Sequence, residues 1–485
     1  MRKQLYSIFF VLLMLVAVWG FGLYRLTEQP ARETSVDEEL QAVTEENKTP
    51  VSLGKTTLRL WYTDEGMEDY LQRQAQKYNA QHEDIRLLPI KVAQTNYLEH
   101  IYEASVEGED CPDLYLTTND TLEKAYLSGI ASETGREDEI RASFPEVAQN
   151  AVTYHGRTVA FPLYYETALF FYNKTYLEQM AKMHNEALQD TLEAEAAMAE
   201  TEAMLEAGLD PEEQAAAQES ETPEAEEVTA DDLVPGSFED ILNLANDYDA
   251  PEGMEGILKW DVTDVFYNYF FAGKYIQLGG EMGDDPSILD LQNPNSVACM
   301  EVYQALKPFF SIEAKDSDYD TILQEFIDGK ILFTIATTDA IAKLDQAKAD
   351  GSFQGEYGLC LLPDLSSALG SRGLSVTQVV AVNGFSDHAD LAADAAAFLS
   401  MEAGEDMYNA TSHYPANTAA SGEDETAKTC FEAYEKSVSL PKIMEASNFW
   451  MQLEITMTGI WEGDEANEAM EKLQGQMSSQ LAKKG

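Results

Sequence analysis

The spacing of apolar and polar positions divides much of the chain into alternating strands and helices. Thr56–Tyr62 (TTLRLWY) is short, aromatic and partly β-branched, and predicts a strand. Glu68–Gln81 places Tyr70, Leu71, Ala75 and Tyr78 on one face at helical spacing. Ile85–Val92 predicts a second strand, Tyr97–Val106 a helix and Asp113–Thr117 a third strand. The alternation resumes with a helix from Ser237, a strand near Gly256–Leu258, and helices over Val265–Gly273 and Pro294–Phe310. Ile322–Ile335 then reads as helix, Gly329 turn and strand. This order predicts an α/β fold with a mostly parallel sheet covered on both faces. Ligands of such sheets lie beyond the carboxyl ends of the strands, here the loops Trp61–Glu65 and Thr117–Asp120.

One stretch departs from that pattern. His155–Thr175, HGRTVAFPLYYETALFFYNKT, runs from a His-Gly turn into a short apolar strand. A joint with two tyrosines and an acid follows (Tyr164, Tyr165, Glu166), then a second apolar strand. Two apolar runs around a polar, aromatic joint suit a chain that bends from one domain into another beside a ligand.

The segment Tyr176–Asp240 carries twenty acidic residues and a single Lys182. Its first half keeps Leu177, Met180, Leu188, Leu192, Met198 and Leu205 at helical intervals, which predicts a long amphipathic helix. Past Gly208 the periodicity vanishes and the composition reads as disordered. The segment serves either as a solvated insertion or as a docking arm.

At the other end, Arg2 and Lys3 precede Leu5–Tyr24, twenty residues without a charge. That run predicts a signal anchor over 1–25, with the cations cytoplasmic and the rest outside, or a cleaved export signal. Residues 26–55 read as an acidic tether. About 430 residues remain, enough for two domains. The net charge of −56 argues against nucleic acid or an anionic lipid surface as partner. Cys111, Cys299, Cys360 and Cys430 are widely spaced, and free thiols or one or two disulfides both suit them.

Enzymatic motifs are lacking. There is no HExxH, GxSxG, GxxxxGKS or GxGxxG, and the six histidines show no metal-ligand spacing. Asp316–Asp320 resembles the start of a calcium loop, but Thr321 replaces the required Gly and Ile327 the closing Glu. A helix N-terminus suits it better. The residues imply no cofactor and no metal.

Taken in order, several pieces resemble the family 1 extracellular solute-binding proteins of ABC importers, the group that includes maltodextrin-binding proteins. They are LRLWYTDEG, CPDLYLTTNDTLEKAYLSGI, HGRTVAFPLYYETALFFYNK, SFEDILNLA, EFIDGKILFTIATTDA, GLCLLP, YPANTAA and NFWMQLE. The resemblance spans about 56–475 apart from the insertion. The chain departs from it in the acidic insertion, in Cys111 where Gly is usual, and in lacking a lipidation Cys. It implies a two-lobed, type II periplasmic-binding-protein fold whose hinge strands cross an interlobe cleft. The lobes would be 56–165 with 363–408, and 166–362 with 409–485, the insertion occupying 176–236. Carried over by motif, it implies a cleft lined by Trp61, Asp64, Glu65, Thr118, Asp120, Tyr165, Glu166, Trp260, Asp264, Thr337 and Trp450. Asp339 suits a helix cap at least as well. The implied protein is a non-catalytic monomer that delivers an oligosaccharide to membrane permeases. A polyamine becomes the better solute if several of the acids converge. A ligand sensor for a membrane partner and a two-carboxylate surface glycosidase are the remaining readings.

Overall fold

The computed structural model describes residues 55–108, 110–207, 227–421, 424–444 and 446–482. The apolar run, the tether up to residue 54 and residues 208–226 of the insertion lie outside them. No helix among the described residues is long and apolar enough to cross a membrane.

The first three strands are β1 (Thr56–Tyr62), β2 (Ile85–Lys91) and β3 (Leu114–Thr118). β1 pairs in parallel with both β2 and β3, and the helices Glu68–Gln81 and Tyr97–Glu107 connect them. That is the arrangement the alternation predicts. The sheet as a whole is mixed, however, which corrects the expectation of a mostly parallel one. Leu374–Val382 runs antiparallel to β3 and also to Phe161–Asn173. Parallel pairing needs a crossover element, and a strand arriving directly from the other half has none to reverse it.

Phe161–Asn173 is one continuous strand of 13 residues, so the joint between two strands expected in this stretch is absent. What changes along it is the partner. Residues up to Thr167 pair with Leu374–Val382, and from Ala168 onward they pair with Ile331–Thr337 and Tyr357–Cys360. The exchange is fastened on both sides. Thr167 Oγ1 donates to the Leu374 carbonyl at 3.0 Å, and the Thr338 N–H donates to the Thr167 carbonyl at 3.1 Å. A bulge between Gln378 and Val379 lies opposite Pro162, which has no N–H to offer the ladder. Just before the strand, Thr153–Tyr154 pairs with Arg157–Thr158 around His155 and Gly156, with φ of 47° and 76°. Positive φ at both central positions fits a tight hairpin turn.

The chain passes between the halves of the sheet twice more. Residues 361–373 lead from Tyr357–Cys360 to Leu374–Val382. Residues 440–444 lead from Val438–Ser439, paired with Leu374–Ser375, toward the helix Ala446–Glu462 of the second core. Tyr414–Pro415 pairs with Tyr164–Tyr165, and the helix Glu425–Lys436 packs on the crossing strand. Tyr414–Pro415, Glu425–Lys436 and Val438–Ser439, expected in the second lobe, therefore sit against strands of the first.

The second core gathers Phe238, Trp260, Phe270, Phe271, Phe310 and Trp461. The insertion starts as a helix, Lys174–Ala207, whose root is fastened to the core. Leu177, Met180 and Ala181 are buried, and Asn185 exchanges two hydrogen bonds with the Val228 backbone, at 2.8 and 3.0 Å. Asp318 caps the helix Tyr319–Ile327 by accepting from the Thr321 N–H at 3.0 Å, as expected of the would-be calcium loop. The four cysteines are unpaired.

Candidate functional site

The carboxyl ends of β1 and β3 meet the middle of the crossing strand, and a third element brings His413 between them. His413 immediately precedes Tyr414, the partner of Tyr165, so the pairing fixes its position. Its ring lies flat on Tyr164, with centroids 4.2 Å apart and planes 9° from parallel. Nε2 stands 3.2 Å from Asp64 Oδ2, and Nδ1 stands 3.9 Å from Glu166 Oε1. Tyr164 also feels the charge of Asp64. One imidazole thus bridges two carboxylates that reach it from different elements.

These two carboxylates are tuned in opposite directions. Asp64 is held below the usual carboxylate range, chiefly by its hydrogen bond with His413. Glu166 is pushed above it, first by burial and then by the negative charges of Asp339 and Asp64, with His413 opposing. The influence of Asp339 shows that the second half of the sheet comes close. Asp339 follows Thr337 at the carboxyl end of Ile331–Thr337 and accepts from Thr337 Oγ1. It also accepts from the Tyr319 hydroxyl at 2.9 Å and pairs with Lys343 at 2.8 Å. Tyr319 stacks on Tyr267 with centroids 5.1 Å apart, and Tyr267 feels the charges of Asp339 and Asp264. Asp264 lies next in this wall and caps the helix Val265–Asn268 through the Phe266 N–H at 2.7 Å. Burial raises its pKa, and its charge is felt by Glu454, one helical turn from Trp450.

A cavity of about 370 Å³ opens beside Asp64, lined also by Tyr97, Thr118, Lys124 and Tyr164. Thr118 donates to Asp120, whose pKa burial raises. Asp64, Thr118, Asp120, Glu166, Thr337 and Asp264 therefore belong to one chain of neighbouring groups that runs across both halves. Trp450 stands at its far end, partly buried against Tyr269.

Four residues expected in the cleft are elsewhere. Trp61 is 1% exposed under the helix Tyr97–Glu107, beside His100. Trp260 is wholly buried, its indole N–H donating to Asn268 Oδ1 at 2.8 Å. Both indoles serve as core: Trp61 faces the helix that covers its strand, and Trp260, just past the strand Gly256–Lys259, packs among Phe238, Phe271, Phe310 and Trp461. Tyr165 is buried against Tyr434, with centroids 4.0 Å apart and planes 2° from parallel. Glu65 points outward and pairs with Lys91 at 3.0 Å. Tyr164, His413, Tyr267 and Tyr319 were not picked from the sequence. Tyr164 had a signal: side chains alternate along a strand, so the residue sharing a face with Glu166 is two positions away, not one.

The wall offers flat aromatic surfaces, carboxylate acceptors and hydroxyl groups. Among the described residues, no group of three or more His, Cys, Asp and Glu side chains could hold a metal ion.

Comparison with known proteins agrees with this architecture. Among curated protein sequences none matches the chain. Among solved structures, a cyclo/maltodextrin-binding protein complexed with maltotetraose superposes with a TM-score of 0.68 at 17% identity. That match covers 89% of this chain and 98% of the other. The maltose-binding periplasmic protein of Listeria monocytogenes, in complex with maltose, gives 0.66 at 18% identity, covering 89% and 99%. An extracellular solute-binding protein of Staphylococcus aureus, also with maltose, gives 0.66 at 16% identity, covering 88% and 98%. At such identities these likenesses establish the two-lobed periplasmic-binding-protein fold. The model of the bacterial extracellular solute-binding proteins matches residues 73–432, and the chain belongs to that family.

Proposed function

We propose that this protein is the solute receptor of an ABC importer, and that its solute is a carbohydrate held between the two halves of the sheet. The observation that carries the reading is the wall from Asp64 through His413 and Glu166 to Asp339 and Tyr319. A sugar presents apolar CH faces and a rim of hydroxyls. The stacks Tyr164–His413 and Tyr267–Tyr319 suit the first, and the carboxylates and Thr337 suit the second. The structural neighbours are described with maltose or maltotetraose bound, which supports the same class. Closure about the strand Phe161–Asn173 would present a surface from both lobes to permease subunits, so that transport reads ligand through shape. The lobes divide near Thr167–Ala168. In this reading the segment 1–25 anchors the receptor to the outer face of the membrane, and the receptor works as a monomer.

One observation favours a second solute class. Asp64, Glu166 and Asp339 converge, and a cationic solute such as a polyamine would neutralise them. A thermal-shift panel of maltooligosaccharides, monosaccharides and polyamines separates the two, since a ligand that binds only the native state stabilises it by mass action. A carbohydrate response lost in Asp64→Asn is expected. A response to polyamines alone would replace the sugar reading, and the release of cleaved sugar would refute a receptor.

A further inference from the structure

Behind the crossing strand lies a second cavity, of about 620 Å³, large enough for a metabolite-sized ligand. Thr167 and Ala168, where the strand changes partners, form part of its lining. So do three cations, Lys274, Arg372 and Lys436. Lys274 follows the turn Tyr269–Phe271 of the second core, whereas Arg372 and Lys436 flank strands of the first half.

This lining inverts the charge balance of the molecule. The whole chain has 87 acidic and 31 basic residues, yet here three bases face one acid, Asp364. Asp364 is engaged by the Ser371 N–H at 2.7 Å and by its hydroxyl at 3.3 Å. Arg372 is fixed in place by the carbonyls of Lys436 and Ser437, which use two of its five N–H donors. Lys436 pairs with Glu432 at 2.6 Å, outside the lining. Lys274 makes no ion pair among the described residues, in a protein rich in carboxylates that could have met it.

The backbone is shaped around these groups. A Cβ on Gly370 would stand 2.2 Å from Lys274 Nζ, and a Cβ on Gly273 would stand 2.3 Å from the Arg372 carbonyl oxygen. The second contact is with backbone, so the close approach of the Lys274 and Arg372 segments depends on glycine at 273, whereas the Lys274 side chain could swing away from a residue at 370.

We propose that this rear cavity binds a small multivalent oxyanion, such as a phosphate or polycarboxylate, clamped by Lys274, Arg372 and Lys436. Because its walls come from both halves and its lining includes the exchange point of the crossing strand, movement of the halves changes its shape. Anion and cleft solute then alter each other's affinity by the same factor.

Calorimetric and thermal-shift titrations of the full chain with inorganic phosphate and with citrate, against sodium chloride at matched ionic strength, test the site. They need no cleft solute, so their failure leaves the receptor reading untouched. The expected result is saturable binding by phosphate, citrate or both. It should weaken about tenfold in Lys274→Ala and in Lys436→Ala, as for the loss of a charge-assisted contact. Circular dichroism and the carbohydrate response would show both variants folded. Shifts no larger than those of chloride, or a folded Lys274→Ala that binds like the parent, would overturn the proposal.

Discussion

Tyr164 and Glu166 project from one face of the crossing strand, and Tyr165 between them projects from the other. One face carries His413 and the carboxylates, and the other carries the Tyr165–Tyr434 stack. Glu166 holds its charge against its surroundings, which has a measurable cost. Its folded pKa lies above the unfolded value, so ionisation opposes folding at neutral pH. That penalty is full above the folded pKa and vanishes as pH falls below the ordinary carboxylate range near about 4.3. Glu166→Gln should therefore melt slightly higher than the parent at pH 7, with the gain fading toward pH 4. The gain is small because the side chain is 41% exposed. The same change should weaken carbohydrate binding about tenfold by calorimetry, as for the loss of a charged acceptor. Equal melting at all pH values would contradict the burial argument. Asp64 and Asp120 were picked from loops that follow strands, and Glu166 from the aromatic joint of the crossing strand. His413 was not, because nothing in sequence marks a lone histidine whose place depends on a two-residue pairing.

Single elements were read well where apolar periodicity is strong, as in Glu68–Gln81 and Pro294–Phe310, both matched at their boundaries. The crossing strand was misread as two, because Tyr164–Glu166 looks polar when hydrogen-bonding partners on both edges are unknown. The helix Lys174–Ala207 shows how far an insertion belongs to the core. Excising about 190–226 with a short linker across Gln189 and Glu227 should change stability by no more than about 0.5 kcal/mol and leave binding intact. Excising about 180–233 also removes Met180, Ala181 and Leu233 from the core and should cost at least about 2–5 kcal/mol in chemical denaturation. Equal stability of the two deletions would show that the root of the helix is dispensable. The third crossing carries a different device. Lys442 is wholly buried and donates to the carbonyls of Asn150 and Met282, with Asp284 nearby. Burial lowers its pKa to about 8. An ammonium with a depressed folded pKa costs stability fully below that value, and the cost is relieved as pH rises toward the unfolded value near about 10.4. Relative to Lys442→Met, the parent should gain stability between pH 8 and 10. Parallel stability curves would mean that Lys442 does not titrate there.

At the scale of the molecule, two α/β units share three crossings, and the long strand Phe161–Asn173 is the one that touches the site. The family was legible because its motifs recur in order, although no one of them is specific, and the match over 73–432 bears that out. The mixed sheet was not legible, since strand direction depends on which half each strand enters. The indoles Trp61 and Trp260 were misassigned for a related reason: a large aromatic near a strand end packs inward or outward according to the covering helix. The central claim is that ligand is held between the halves and draws them together. Small-angle X-ray scattering during a titration with maltotetraose tests it most directly. The account predicts a radius of gyration that falls saturably over the range in which calorimetry registers binding, and that stays constant in a folded Asp64→Asn variant. Saturable binding with no change in the radius of gyration, or hydrolysis of the sugar in the cell, would contradict it.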